Sequence, residues 1–373
     1  MKYYILAGEA SGDLHASNLM KEIKVQDNHA EFRFWGGDLM QEQGGTLVKH
    51  YRDLAFMGFL EVIKNIRSIS RNLKSCKSDI LQYKPDVLIL VDYPGFNLRI
   101  AKYSHRQGIM TYYYISPKIW AWKKSRALKI KKYIDKMFTI FPFEKAFYRD
   151  YNYDVEYAGN PLVDEIENKK PLLMERKEFL EKNNLDQKPI IALLAGSRKQ
   201  EITIILPEML GIMNHYPEYQ FVIAGAPSFS AEYYKPIIEA FNVKLIFGQT
   251  YDLLKHAYAA IVTSGTATLE TALFNVPQVV VYKMHQLTYD IGHHFIKPKF
   301  ISLVNIILDK EAVKEIIQTD FQARIKEELD KIISDEVYRN QMLLNYAEMK
   351  EILGGPGASE KTAKQIVSDI SIK

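Results

Sequence analysis

The feature that most constrains this chain is a rhythm. Short apolar runs alternate with longer amphipathic stretches, and the series runs twice. In the first half the runs at 3–7, 32–35, 87–91, 110–115, 137–141 and 155–158 read as strands. In the second half those at 190–194, 220–224, 244–247, 260–263 and 278–282 do the same. Helical patterns lie between most of them, as at 14–25 and 201–214. Strands that are apolar throughout and separated by helix-length segments demand parallel sheets with crossover helices. The expected fold is α/β, with two doubly wound Rossmann-like domains facing across a cleft. A polar, charged stretch at 168–188 separates the two series, which puts one domain at 1–165 and a second at 166–340. The helices of 341–373 would cross back to the first domain or exchange with a partner subunit, because Gly354-Gly355-Pro356-Gly357 permits either. Ser359 is expected to cap the last helix.

At 373 residues and 47% hydrophobic, the chain is large enough for two such domains with real cores. Cys76 is the lone cysteine, which rules out an intrachain disulfide and fits a reducing cytoplasm. The opening Met1-Lys2-Tyr3-Tyr4 reads as the entry to a strand rather than a signal peptide. No uninterrupted apolar stretch reaches the roughly 18 residues that a membrane span needs. The net charge of +4 is unevenly spread. Between Pro117 and Lys136 lie eight basic residues and one acid, so this segment carries the positive charge and the remainder is slightly acidic. A local basic patch points to an anionic partner surface.

In doubly wound sheets ligands bind beyond the carboxyl ends of the strands, so the residues there carry the functional reading. After the first strand comes Gly8-Glu9-Ala10-Ser11-Gly12-Asp13, a small-residue turn whose N–H groups suit an anion. Its glycine spacing does not match the dinucleotide fingerprint. Asp92 follows the run at 87–91, and a partly desolvated carboxylate there suits a general base. Gly196-Ser197-Arg198 follows the run at 190–194 and combines a helix start with a charged fork, a cradle for phosphate. Ser264-Gly265-Thr266-Ala267-Thr268-Leu269-Glu270 places hydroxyls and a glycine before a helix, with a carboxylate in reach of a sugar. Each loop alone could be an ordinary capped turn; together they point to a nucleotide-linked ligand. There is no Walker A pattern and no Asp-x-Asp pair, so the chemistry is expected to need neither metal nor cofactor. His285, His293 and His294 fit no common zinc spacing.

These motifs, with Asp92-Tyr93-Pro94-Gly95-Phe96-Asn97, Ser116-Pro117-Lys118-Ile119-Trp120-Ala121-Trp122 and Phe141-Pro142-Phe143-Glu144, resemble the lipid-A-disaccharide synthases over nearly the whole chain. The resemblance implies the GT-B arrangement of two Rossmann-like domains, the first facing acceptor and membrane and the second holding a UDP-sugar. It implies transfer of 2,3-diacylglucosamine from UDP to 2,3-diacylglucosamine 1-phosphate, giving a β-1,6 disaccharide with inversion. It also implies that Glu9, Ser11, Asp92, Arg198, Glu270 and Asn305 line the active site, with Asp92, Arg198 and Glu9 catalytic. Gly8, Gly12, Asp13, Met57, Gly196, Ser197, Ser264, Gly265, Thr266 and Ala267 join the substrate-binding set. The chain departs from the family pattern at Ala10, where Thr is usual, at Ala195 and Val304, where Pro is usual, and at Asn160, where His is usual.

Acylated substrates, as the resemblance implies, would place the enzyme at a membrane surface, in the cytoplasm on the inner face of the inner membrane. On a helix from 123 to 136, Ala127, Ile130 and Ile134 share one face and Lys129, Lys132 and Lys136 the other. With Trp120, Trp122 and Lys123 beside it, this face suits anionic lipid headgroups. Phe56-Met57-Gly58-Phe59-Leu60 is either an acyl groove or core. Nucleic acid is not an expected partner, since no nucleic-acid motif accompanies the basic helix. Competing readings are a UDP-N-acetylglucosamine 2-epimerase, a peptidoglycan-type glucosaminyltransferase, and a non-catalytic nucleotide-sugar sensor that would have no use for Asp92.

Overall fold

The computed structural model describes residues 1–53, 66–117, 119, 126–283 and 299–371. The chain forms two compact units, Met1–Glu165 with Leu353–Lys373, and Ile166–Ile352. The strands of the first unit are β1 (Lys2–Ala7), β2 (Glu31–Gly36), β3 (Thr46–His50), β4 (Val87–Val91), β5 (Met110–Tyr114), β6 (Lys136–Thr139) and β7 (Glu156–Tyr157). They form one sheet in the order β3-β2-β1-β4-β5-β6-β7, parallel at every pairing. The second unit contributes β8 (Ile190–Leu194), β9 (Gln220–Gly225), β10 (Lys244–Phe247), β11 (Ala257–Thr263), β12 (Gln278–Tyr282) and β13 (Glu315–Ile317). Their order is β10-β9-β8-β11-β12-β13, again all parallel.

Central position explains composition. Val87, Leu88, Ile89, Leu90 and Val91 are fully buried because helices cover β4 on both faces. Burying each such side chain contributes about 1.5–3 kcal/mol. On one face the helices Ala10–Gln26 and Ala358–Ser371 pack through Leu19, Met20, Ala363 and Ile366. On the other, Ile66–Tyr83, Pro94–Arg106 and Arg126–Tyr133 pack through Cys76, Ile80, Ile100 and Ile130. Cys76 is a core residue, and burial pushes its thiol pKa well up.

Several details differ from the sequence reading. The strands β3 and β13 were not anticipated. The first is a half-buried edge strand with a mixed pattern, and the second has three residues. The helix expected over 123–136 is described as Arg126–Tyr133, and Lys136 instead opens β6 and pairs with Asp369 at 2.5 Å. The segment 341–373 does not act as a block: up to Ile352 it lies with the second unit, and the helix Ala358–Ser371 belongs to the first. Ser359 does not cap that helix through its hydroxyl. Asp164 does so from another element, accepting from the N–H groups of Gly357 (2.6 Å), Ala358 (3.1 Å) and Ser359 (2.9 Å).

Candidate active site

Each sheet has one place where successive strands depart in opposite directions. In the first unit it lies between β1 and β4, and in the second between β8 and β11. The four loops singled out in the sequence follow these four strands, at the switch points where doubly wound sheets bind ligands.

In the first unit the loops after β1 and β4 interlock. A Cβ on Gly8 would lie 2.4 Å from the Tyr93 ring, so only glycine lets the ring sit there. Gly12 brings the helix Ala10–Gln26 close to its strand, since a Cβ there would meet that of Ala7 at 3.3 Å. Glu9 holds extended backbone at the start of this helix and is half-buried, while Ser11 is exposed. Burial, and then the nearby Glu9 carboxylate, raise the Tyr93 pKa, which places Glu9 electrostatically beside the second loop.

Asp92 and Tyr93 both adopt left-handed backbone, with φ of 42° and 46°. Two consecutive non-glycine residues there cost about 1–2 kcal/mol each. The turn is clamped from behind. The carbonyl of Asp92 accepts from the hydroxyl of Tyr113, on neighbouring β5, and from Asn97 Nδ2 at 2.8 Å. Asn97 Nδ2 also reaches the carbonyl of Val91 at 3.2 Å. Tyr113 and Asn97 are fully buried, while Asp92 remains half-exposed. Burial first, and the charge of Asp92 second, hold the Tyr113 phenol protonated far above its usual range. Asn97 closes the Asp92–Asn97 motif but carries no assigned role in the sequence, and Tyr113 lies in an aromatic strand and reads as core.

Asp13, expected among the binding residues, makes its hydrogen bonds within this unit. Asp13 is 2% exposed, and its carboxylate accepts from the N–H groups of Gly37 (2.6 Å), Leu39 (3.2 Å) and Met40 (3.2 Å). It caps the short helix Asp38–Glu42, so its oxygens are committed to backbone.

In the second unit glycine carries the unusual backbone. Gly196 has φ +96°, and a Cβ there would strike Glu201 Oε2 at 2.4 Å. That oxygen accepts from the N–H groups of Ser197 (3.1 Å) and Arg198 (3.2 Å) and fixes the turn. Glu201 Oε1 holds Arg198 Nη1 at 3.1 Å, yet the Arg198 side chain is 77% exposed and its remaining donors face solvent. After β11, Gly265 has φ +154° with open space where a Cβ would stand. The helix Thr266–Leu273 begins here, and the N–H groups of Gly265, Thr266 and Ala267 have no acceptor among the described residues. Ser264 donates to Ile301 O at 2.7 Å and closes the back of the loop. Glu270, half-buried, accepts from Tyr251 OH at 2.9 Å.

Asn305, expected at the site by resemblance, is engaged within the protein. It is fully buried, and its Nδ2 donates to Val313 O and Glu315 Oε1, both at 2.9 Å. Its Oδ1 accepts from the N–H groups of Ala312 and Val313. With both ends of the amide engaged, it shapes the approach to β13. Met57, Trp120, Trp122 and Lys123 lie outside the described residues, as do His285, His293 and His294. Lys129 and Lys132 are exposed on Arg126–Tyr133, opposite buried Ala127 and Ile130.

Two all-parallel doubly wound units, with glycine-bearing loops at both switch points, define an α/β protein of the GT-B class. Solved structures of that architecture match end to end. UDP-GlcNAc 2-epimerase from Neisseria meningitidis, bound to UDP-GlcNAc, superposes with a TM-score of 0.72 over 99% of this chain and 100% of its own, at 14% identity. A putative UDP-N-acetylglucosamine 2-epimerase from Listeria monocytogenes gives 0.70 over 100% and 97%, at 15% identity. The sequence narrows the class. Residues 3–366 match the lipid-A-disaccharide synthetase family. The lipid-A-disaccharide synthase of Geobacter sulfurreducens is 36% identical over 96% of this chain and 94% of its own length. That of Coxiella burnetii is 34% identical over 97% and 96%. The chain belongs to the lipid-A-disaccharide synthetase family, and with it to the glycosyltransferases of lipid A synthesis.

Proposed function

We propose that this enzyme condenses UDP-2,3-diacylglucosamine with 2,3-diacylglucosamine 1-phosphate, releasing UDP and the β-1,6 disaccharide 1-phosphate with inversion. The carrying observation is the clamped, half-exposed Asp92 at the switch point of the first unit. An inverting transfer is one in-line displacement: the acceptor 6-hydroxyl attacks the anomeric carbon as the bond to the diphosphate breaks. Asp92 takes the hydroxyl proton, and the electron pair of the broken bond leaves with UDP. Arg198, the N–H groups of Gly265–Ala267 and the dipole of the following helix stabilise the charge gathering on the diphosphate. Glu270, steadied by Tyr251, receives the ribose hydroxyls. Glu9 and Ser11 contact the substrate beside Asp92. The reaction uses no cofactor and no metal.

The partners follow from the substrates and from surface charge. The three helices Ile66–Tyr83, Pro94–Arg106 and Arg126–Tyr133 carry eleven Lys and Arg residues against one acid, Asp79. That acid is already paired with Arg33 at 2.6 Å. On the opposite face of the same sheet, Ala10–Gln26 and Ala358–Ser371 balance four basic residues with four acidic ones. Leu128 and Leu81 stand exposed among the cations. Such a layer fits the anionic headgroups of the inner membrane's cytoplasmic face, with apolar side chains to insert. Among the described residues no helix is long and apolar enough to cross a membrane. Sedimentation with anionic vesicles should fall steeply as salt rises, and salt-insensitive binding would contradict an electrostatic dock.

The function itself is tested by incubating the pure protein with both acylated sugars and seeking the disaccharide by mass spectrometry. Product appears on this reading. Interconversion of UDP-GlcNAc epimers without transfer would replace it with the reaction named for the structural neighbours.

A further inference from the structure

The buried pair Tyr113 and Asn97 does more than fill the core. We infer that they are positioning residues for Asp92, which hold its backbone in a conformation it would not keep alone and so fix where its carboxylate stands. The inference rests on the reading of Asp92 as the base.

The geometry argues this in three steps. Aspartate enters the left-handed region more readily than most residues but still at a cost, and Tyr93 beside it does so at a larger one. The same side chain on ordinary backbone would leave the strand end in a different direction, so the conformation selects the placement of the carboxylate. What selects the conformation is the Asp92 carbonyl, drawn inward onto two donors that no solvent reaches. Tyr113 pairs in register with the neighbour of Val91, with Leu90 opposite Tyr113 along β4 and β5. Its phenol therefore runs along the sheet face to the strand end and is fixed by the ladder itself. Asn97 is fully buried on the helix that Pro94 begins, and its one amide group spans the carbonyls of Val91 and Asp92. The clamp thus joins a strand, a helix and the base loop. Strained backbone that the surroundings over-determine is a mark of functional sites. Here the determining atoms are named.

The clamp acts through Asp92 and never touches substrate, so its loss should lower turnover and leave donor binding alone. Tyr113→Phe retains the ring and deletes one hydroxyl. A displacement of about 1 Å in a reacting group can cost about 100-fold, so kcat should fall by roughly 10- to 100-fold with the KM for the UDP-sugar unchanged. The acidic limb of the kcat–pH profile, where protonation silences the base, should move as well, because the carboxylate now samples other surroundings. Asn97→Ala should do the same more strongly, since it removes the donor to the carbonyls of Leu6, Val91 and Asp92.

A second measurement does not depend on activity. Tyr113→Phe is made in the parent and in an Asp92→Gly background, and the four proteins are unfolded with urea. Glycine takes the left-handed conformation freely, so the midpoint shift caused by Tyr113→Phe should shrink in that background. Equal shifts in both backgrounds, or a Tyr113→Phe enzyme with parental kcat and pH profile, would overturn the clamp. Asp92→Asn run alongside separates the two ideas: if it turns over normally while the unfolding shifts are coupled, the base assignment fails and the clamp stands.

Discussion

The two switch points solve opposite problems. In the first unit the left-handed backbone falls on Asp92 and Tyr93, where a side chain is needed and glycine would not serve. In the second it falls on Gly196 and Gly265, where backbone N–H groups are wanted and a side chain would obstruct or add nothing. The first loop is strained and held by two buried donors. The second pair is relaxed, and is tuned by Glu201 and by a helix start. On the proposed mechanism, the contrast separates the demands of proton transfer from those of phosphate binding. Where a loop must present a charged side chain at a fixed point, strain is tolerated and braced; where it must present donors, glycine removes the strain.

Substitutions can break this comparison from either side. The largest effect should come from Asp92→Asn. Asparagine tolerates left-handed backbone, so the fold persists, but the base is gone, and kcat should fall by about 10²–10⁴-fold. A folded variant with near-parental turnover would remove Asp92 from the chemistry. Arg198→Ala should follow, with kcat at least ~100-fold lower, equivalent to about 3–4 kcal/mol of lost transition-state stabilisation. Its side chain is so exposed that melting temperature should hardly change. Gly196→Ala tests the relaxed side. The added methyl meets Glu201 at a backbone angle that alanine avoids, so stability should drop by about 1–3 kcal/mol and donor KM should rise. Gly265→Ala, with open space around it, should have the smaller effect, because only the backbone angle is at stake. Urea unfolding of the two variants side by side ranks them, and a reversed order would mean that packing does not set the difference.

Much of this was legible in the sequence because the governing signals are local. Short continuous apolar runs such as Val87–Val91 and Ile190–Leu194, alternating with helix-length segments, read as strands buried on both faces, and the residues after them stand at the strand ends. That is why the turns that open at Gly8, Asp92, Gly196 and Ser264 are legible from the sequence alone. What stayed hidden depends on partners distant in sequence. Asp13 and Asn305 sit in motif positions and look like ligand contacts, but their hydrogen bonds are spent on Gly37–Met40 and on Ala312–Glu315. Asp164 shows nothing in sequence of the helix end it caps nearly two hundred residues later. The strands β3 and β13 escape because edge position and brevity erase the periodicity that marks the others.

The first unit holds a costly backbone conformation in order to place a carboxylate. Asp92→Gly tests it most directly when unfolding free energy and turnover are measured on the same preparation. The account predicts stability at or above the parent's, by up to about 1–2 kcal/mol as the left-handed penalty is lifted, together with turnover lower by about 10²-fold or more. A variant that is clearly less stable than the parent, or one that still makes product at the parental rate, would contradict it.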